Sequence, residues 1–431
     1  MLMAMTTATF ARQLLIDSFH AAVAAADPLA LVARHLPPPP IGRTVVVGAG
    51  KAAASMARAL ELAWPVGAPL AGLVVTRYGH GMPTERIAVC EAGHPLPDGA
   101  GEDAARHIVQ LATGLSADDL LVVLLSGGGS SLLALPVPGV PIGALIAVTS
   151  MLLQCGAPIT EINIVRKHLS QVQGGQLAAR CKAPLTALVI SDVTGDDPSA
   201  IASGPTCPDA STFQHALDVL ARYAVTPPAS VLAHLQAGAR GEVAETPKPG
   251  SAVFDHATTT VIASARQSLQ AAARFFQGHG IATVMLGDSV TGEASEVAKV
   301  YAALVREIGV HDQPFQAPVA LISGGECTVT VRGSGRGGRC AEFLLSLAIE
   351  LDGMPGVYAL AGDTDGIDGT EDNAGAVLGP DSKARAEQLG LSARQRLVNN
   401  DGYSYFEALG DLLVTGPTRT NVNDYRVILI V

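Results

Sequence analysis

The stretch Arg43–Ala63, RTVVVGAGKAAASMARALELA, decides the fold. Three successive valines without polar alternation predict a strand buried on both faces, and the alanine- and leucine-rich run after Lys51 predicts a helix. A glycine turn alone separates them, so the unit is strand, tight turn, helix. The alternation continues outward. AGLVVT (71–76), RIAVCEAG (86–93), DLLVVLLSGGG (119–129) and LTALVISD (185–192) predict further strands, with a helix over 101–113 and a helix-like SSLLAL after the three glycines. Apolar strands separated by helices imply a parallel sheet covered on both faces. Upstream, LPPPP (36–40) ends an N-terminal region that reads as an amphipathic helix pair. Its apolar runs are cut by Arg12, Asp17, His20 and Asp27 before they reach signal or spanning length.

Residues 238–255, GARGEVAETPKPGSAVFD, form the most polar, Pro/Gly-marked stretch between periodic regions, and the domain boundary is placed there, giving domains 1–245 and 246–431. Beyond it, helices over 264–278, 293–305 and after Gly338 alternate with strands in GIATVMLG (280–287), PVALISGGECTVTV (318–331), GVYALAGDTDG (356–366) and YRVILIV (425–431). The fold class is α/β: a Rossmann-like doubly wound N-terminal domain and a second α/β domain with a mixed sheet, the active site lying in the cleft between them.

Composition narrows the function. With 48% hydrophobic and 16% charged residues among 431, the chain buries a large core and is not disordered. The 28 Lys+Arg against 39 Asp+Glu leave a net charge of −11, which argues against nucleic acid and against a polybasic membrane anchor. Aromatics make up 4%, with Trp64 the single tryptophan, so stacking platforms are scarce. The six cysteines form no CxxC pair and no zinc-ligand spacing, as expected for reduced thiols in a cytoplasmic protein.

The 46 glycines concentrate at turns that carry charge. Gly48-Ala49-Gly50-Lys51-Ala52-Ala53-Ala54 has the GxGxxA form that brings backbone to a phosphate at a helix start. It is not a P-loop, because Val45 and Ala52 stand where Gly and Ser/Thr are required. Nor does the next strand close on the acidic residue of an NAD site; Thr76 and Arg77 are there. Lys51, one of six lysines, is either a solvated side chain or a cation for an anionic substrate. In LLSGGGSSLL, Ser126, Gly127, Gly128, Gly129, Ser130 and Ser131 expose backbone N–H groups as an anion nest. INIVRKHLSQVQGGQLA places Arg166, Lys167 and His168 at the predicted start of a helix, where cations oppose the dipole, so Arg166 is expected to face an anion across a cleft. Asp192 ends a strand at the ligand side of an α/β sheet, with Asp196 and Asp197 in the following turn, available to Mg²⁺ or to a hydroxyl proton. Gly324-Gly325-Glu326 and Gly333 to Gly338, with Arg336 and Arg339, form a guanidinium-plus-glycine arrangement suited to phosphate. Asp363, Asp365, Asp368 and Asp372 follow in a glycine-rich loop without EF-hand spacing, and Thr415 to Asp424 is a polar segment before the last strand. Anion nests, isolated cations and strand-end aspartates in both halves point to phosphoryl transfer.

In this order, from Gly48 to Asp424, GAGKAAASMA, LLSGGGSSLL, INIVRKHLS, ISDVTGDDPSAIASGPT, GGECTVTVRGSGRGGR, DGIDG and TGPTRTNVND resemble the class II glycerate kinases, which join a glycerate-kinase N-terminal domain to a C-terminal MOFRL domain. The resemblance implies ATP- and Mg²⁺-dependent phosphorylation of D-glycerate, in bacterial members at the 2-hydroxyl to give 2-phosphoglycerate. It puts the family's active-site lysine on Lys51 and its arginine on Arg339. Where the family continues GGR with Asn-Gln-Glu, this chain has Cys340-Ala341-Glu342. The site expected on this basis has Ser126, Gly127, Gly128, Gly129, Ser130 and Arg166 on the glycerate carboxylate or a phosphate. Lys51 and Arg339 face the transferring phosphoryl group, and Asp192 orients the acceptor hydroxyl or holds Mg²⁺ with Asp197 and Asp365. Gly48, Gly50, Gly324, Gly325, Glu326, Gly337 and Gly338 are expected at the nucleotide. The expected partners are D-glycerate and ATP, with no nucleic acid and no membrane, and a homodimer left open. Two other readings stand beside it: an NAD(P)H-dependent hydroxypyruvate reductase, favoured by the GxGxxA turn, and a non-catalytic sugar-phosphate sensor.

Overall fold

Six strands carry the first sheet: β1 (Thr44–Ala49), β2 (Leu70–Arg77), β3 (Ile87–Ala92), β4 (Leu120–Leu125), β5 (Leu185–Ile190) and β6 (Ala257–Ala263). They belong to a computed structural model that describes residues 2–431, with side chains from Ala8 onward. The strand order is β3-β2-β1-β4-β5-β6, and β1 to β5 pair in parallel. This order is that of doubly wound nucleotide-binding sheets, in which ligands sit where the order reverses, beyond the carboxyl ends of the two central strands. Here those strands are β1 and β4. Both are buried along their whole length, which is why their sequences show no polar alternation.

The second sheet contains β7 (Ala282–Gly287), β9 (Val319–Gly325), β11 (Val357–Asp363), β12 (Gly375–Leu378), β13 (Leu412–Leu413) and β14 (Asp424–Ile430); β8 (Gly292–Glu293) and β10 (Cys327–Thr328) form a small parallel pair. Its order is β13-β12-β11-β14-β9-β7, with β7 and β9 parallel and the other pairs antiparallel, so the sheet is mixed. Successive side chains sort to opposite faces. Val319, Leu321, Ala359, Ile428 and Ile430 join one core with the helices Ala294–His311 and Arg339–Leu351. Ala320, Ile322, Leu360, Val427 and Leu429 join another with the helices Leu2–Ala24 and Ala265–Gly278. Helices therefore cover both faces, and the central strands are apolar throughout.

The chain divides into two compact units, Pro28–Ile262 and a second made of the N-terminal segment through Asp27 with Ala263–Val431. The division falls later than the 245/246 boundary drawn from composition, because β6, after the polar stretch, hydrogen-bonds to β5 as the last strand of the first sheet. The N-terminal helix also departs from that scheme. Leu14, Leu15, Phe19 and Ala22 pack on the mixed sheet, and the Tyr425 hydroxyl donates to Ser18 Oγ at 2.8 Å. Among the described residues, no single helix is long and apolar enough to cross a membrane, and all six cysteines are free thiols.

Candidate active site

The turns after β1 and β4 lock together at the point of strand-order reversal. Lys51 N–H donates to Gly127 O at 2.8 Å, Ala52 N–H to Ser126 Oγ at 3.0 Å, and Ser126 N–H to Ala49 O at 3.2 Å. The two backbones are too close for side chains. A Cβ on Gly48 would stand 2.2 Å from Leu124 O, and one on Gly50, at φ +139°, would stand 2.2 Å from Ser126 Oγ. Both glycines are thus required by strand and turn packing, and the Ser126 hydroxyl is committed to holding the turn.

The nest itself is open. Among the described residues, the N–H groups of Gly127, Gly128 and Ser130 donate to no protein acceptor, whereas those of Gly129 and Ser131 close local turns on Ser126 O and Gly128 O. Its Ser130 end runs into a side-chain network. Ser130 Oγ lies 2.9 Å from Ser203 Oγ, Ser203 Oγ donates to Asn163 Oδ1 at 3.2 Å, and Arg166 Nη1 donates to the same oxygen at 3.4 Å. Gln173 Nε2 donates to Ser130 O at 2.9 Å and fixes this end.

Arg166 stands out because nothing neutralises it. No carboxylate pairs with it among the described residues, and burial lowers its pKa to about 10. Arg166, Lys167 and His168 lie in the last turn of the helix Ile159–His168, not at a helix start, so they complement its dipole. Pro158 opens that helix earlier than the sequence suggested. The neighbours are accounted for: Lys167 Nζ is 3.5 Å from Asp209, and His168 Nε2 is 3.2 Å from Glu245. An arginine held largely out of water without a counter-ion needs an anion.

Backbone strain marks the same place. Ala202 at φ +50° and Ser203 at φ +58° are left-handed without being glycine, and Gly204 follows at φ +60°. Each such residue costs roughly 1–3 kcal/mol and persists only where its surroundings demand it. The strained turn is what presents the Ser203 hydroxyl to both Ser130 and Asn163. It also packs against the nest, since a Cβ on Gly129 would stand 2.6 Å from that of Ala202.

The Gly128 end carries cations. Gly128 is left-handed at φ +80°, and a Cβ on it would lie 2.8 Å from His94 Nε2 and 3.5 Å from Lys51 Cγ. Burial, then the charges of Lys51, Arg77 and His80, push the His94 imidazole down to about 3, so the ring is neutral at physiological pH. Thr76, next to the last residue of β2, donates its hydroxyl to Lys51 O at 3.4 Å. Asp192 lies two residues past β5, half-buried.

Of the other expected metal ligands, Asp197 is exposed and accepts from Ser199 N–H and Ser199 Oγ, both at 2.9 Å. Asp365, in the other unit, is buried and accepts from Ile367 N–H at 2.9 Å. Both are engaged in turns. Among the described residues, no three His, Cys, Asp or Glu side chains converge as a group that could hold a metal ion.

The second unit answers the arginine expectation differently. Arg339 is surrounded by acid: Nε pairs with Asp424 at 2.8 Å, Nη1 with Glu326 at 2.6 Å and Nη2 with Asp363 at 2.7 Å. Asp424 turns its other oxygen to the buried Arg426 at 2.6 Å, and Arg426 also donates to Gly324 O and Gly325 O. The carbonyls of Gly324 and Gly325 are therefore spoken for. The helix start at Gly338 is likewise occupied. Asp368 accepts from Cys340 N–H at 3.0 Å and Ala341 N–H at 2.8 Å, and a Cβ on Gly338 would reach within 2.2 Å of its carboxylate. Upstream, Asn400 Oδ1 accepts from Arg332 and Gly333, Asn399 Oδ1 from Ser334, and Asp401 Oδ1 from Arg336. The glycine-rich loop before Gly337 thus spends its backbone donors on protein oxygens where the sequence pattern suggested phosphate. Cys340 and Ala341, at the places of the usual Asn-Gln, are wholly buried in the core.

Asp368 offers a pH test. Burial raises its carboxyl to about 7, against the pull of the two backbone donors. A folded value above the unfolded one means that the stability it contributes is complete below about pH 4 and is lost as pH rises through about 7. Asp368→Asn removes the ionisation. Its urea midpoint should therefore gain on that of the parent protein between about pH 4 and 7 and hold level above, and a pH-independent difference would reject this account.

Sequence reasoning left Asn163, Ser203 and His94 unassigned. Asn163 stands one helical turn before Arg166, a spacing that puts the two on one face. His94 follows β3 at the ligand end of the sheet, which was a usable signal. Nothing in SAIASGPT announces left-handed backbone at Ala202 and Ser203.

With this geometry in hand, comparison with known proteins is informative. Residues 14–236 match the family described as "Domain of unknown function (DUF4147)", and residues 319–424 match the "MOFRL family". A relative in Agrobacterium vitis named "Putative hydroxypyruvate reductase" is 49% identical over 97% of this chain and 94% of its own. The "D-glycerate 2-kinase" of Thermotoga maritima is 40% identical over 97% of this chain and 98% of its own. A solved glycerate kinase structure from Thermotoga maritima superimposes with a TM-score of 0.87 at 39% identity, covering 98% of this chain and all of that one.

Proposed function

The chain belongs to the two-domain DUF4147–MOFRL family that includes glycerate kinases, and from that premise we propose that it is an ATP-dependent kinase phosphorylating D-glycerate at the 2-hydroxyl to give 2-phosphoglycerate. One observation carries the reading: a glycine nest with unused N–H donors lies between two cationic ends, Arg166 at one and Lys51 at the other. A three-carbon hydroxy acid and a phosphoryl group are the small anions such a site accommodates.

Arg166 and the Ser130 end receive the glycerate carboxylate. Asn163 and Ser203 hold Arg166 and Ser130 in place, so their part is positioning. Lys51 neutralises the phosphoryl oxygens as the acceptor hydroxyl attacks, and Asp192 orients that hydroxyl and takes its proton. Mg²⁺ is generally held through substrate phosphates and one or two carboxylates, and Asp192 would be the carboxylate of this unit that holds it. The ion would supply charge neutralisation of the phosphates. Arg166 fits a substrate anion because no carboxylate among the described residues compensates its charge. Arg339 organises carboxylates in the second unit and is proposed to act through them.

Arg166→Ala should raise KM for glycerate with a smaller change in kcat, lowering kcat/KM roughly 100-fold, as loss of a charge-assisted contact to a buried anion predicts. An unchanged KM would move the carboxylate elsewhere. The reductase reading draws on the Agrobacterium name and the GxGxxA turn. Against it, the position of the ribose carboxylate in NAD sites is held by Thr76 and Arg77. Following ADP release with and without D-glycerate, alongside NADH absorbance with hydroxypyruvate, separates the two. Glycerate-dependent ADP with steady NADH is expected; the reverse refutes the proposal.

A further inference from the structure

His94 lies against the glycine nest. The ring and the Lys51 stem both lie against the face of Gly128 that a Cβ would occupy, at the end of the nest that the Asn163 network does not reach. It makes no hydrogen bond to protein among the described residues, and the charges acting on it, from Lys51, Arg77 and His80, are all of one sign. A half-buried imidazole without a partner, set among cations, is a local cost with no local return. An oxyanion in the nest offers the ring the acceptor it lacks and sets a negative charge beside it, opposite in sign to those that act on it. Another cation here would add to the crowding; an imidazole N–H adds a donor without adding charge.

We propose that His94 is a substrate-contacting residue that donates a hydrogen bond from its ring to the phosphoryl oxygens held between Lys51 and the Gly127–Ser130 turn. The identity of the phosphoryl group rests on the kinase reading, whereas the oxyanion contact does not. Gln can present an N–H near the position of Nε2, and Phe fills similar space without one, so His94→Gln and His94→Phe separate donation from packing. Melting of the full chain is followed with and without millimolar inorganic phosphate, and kcat and KM for ATP are measured with D-glycerate. Phosphate should raise the melting temperature of the parent protein and of His94→Gln, and leave His94→Phe unmoved. In turnover, His94→Phe should lose roughly 100-fold in kcat/KM, the usual effect of removing one donor to developing charge, while His94→Gln stays within about tenfold of the parent. The proposal is overturned if phosphate stabilises the parent and His94→Phe equally, if it stabilises neither, or if folded His94→Gln is as impaired as His94→Phe. Should Phe not be accommodated, His94→Ala takes its place with the same expectations. If phosphate discriminates the proteins as stated and the parent does not turn over glycerate, the glycerate reading fails and the oxyanion contact stands.

Discussion

Lys51→Ala is expected to lower kcat for glycerate phosphorylation by roughly 10³-fold or more, with the melting temperature nearly unchanged. The magnitude follows from what phosphoryl transfer asks of a protein, which is mainly positioning and neutralisation of charge on the transferring group. The unaltered fold follows from how Lys51 is held. Its backbone N–H locks the β1 turn onto Gly127 O, and the substitution keeps that bond, while the side chain is only half-buried beside Gly128. Lys51→Arg should recover little, because a planar fork does not take the place of a compact ammonium on a stem that packs beside Gly128. Near-normal turnover by Lys51→Ala would remove the residue from the reaction.

Arg339→Ala should act first on stability. It leaves the carboxylates of Glu326, Asp363 and Asp424 facing one another, two of them buried, and breaking a buried ion pair from one side costs about 3–5 kcal/mol. Arg426 still pairs with Asp424, so part of the charge remains compensated. A fall in urea midpoint specific to this variant, with a smaller fall for Arg339→Lys, is the expected pattern. A variant as stable as the parent would show the acid cluster to be held by something other than Arg339. This arginine is engaged by three carboxylates within its own unit, so any part it has in turnover is proposed to pass through them.

The contrast between these two residues shows how far the sequence carries. Val45 to Val47 and Leu120 to Leu125 announced buried parallel strands because such strands leave no polar face, and the order reversal that places the site follows from them. The SGGGSS nest was legible because three glycines between strand and helix have few packing uses. Partnership was not legible. RGSGRGGR in the second unit looks as suited to phosphate as GAGK in the first, yet its donors go to Asn399, Asn400 and Asp401, and those of Cys340 and Ala341 just after it go to Asp368, all distant in sequence. Arg166 was singled out from an expected helix start that is in fact the last turn of the helix Ile159–His168; its lack of a counter-ion, visible only in three dimensions, is the better reason. The strained Ala202–Ser203 turn lay beyond any propensity argument, since nothing local favours it and tertiary contacts enforce it.

The most direct test follows the phosphorus. The protein is incubated with ATP, Mg²⁺ and D-glycerate, and the product is identified by ³¹P NMR against authentic 2- and 3-phosphoglycerate. ADP and 2-phosphoglycerate formed in equal amounts are the predicted result; 3-phosphoglycerate, or no glycerate-dependent product, would contradict the assignment.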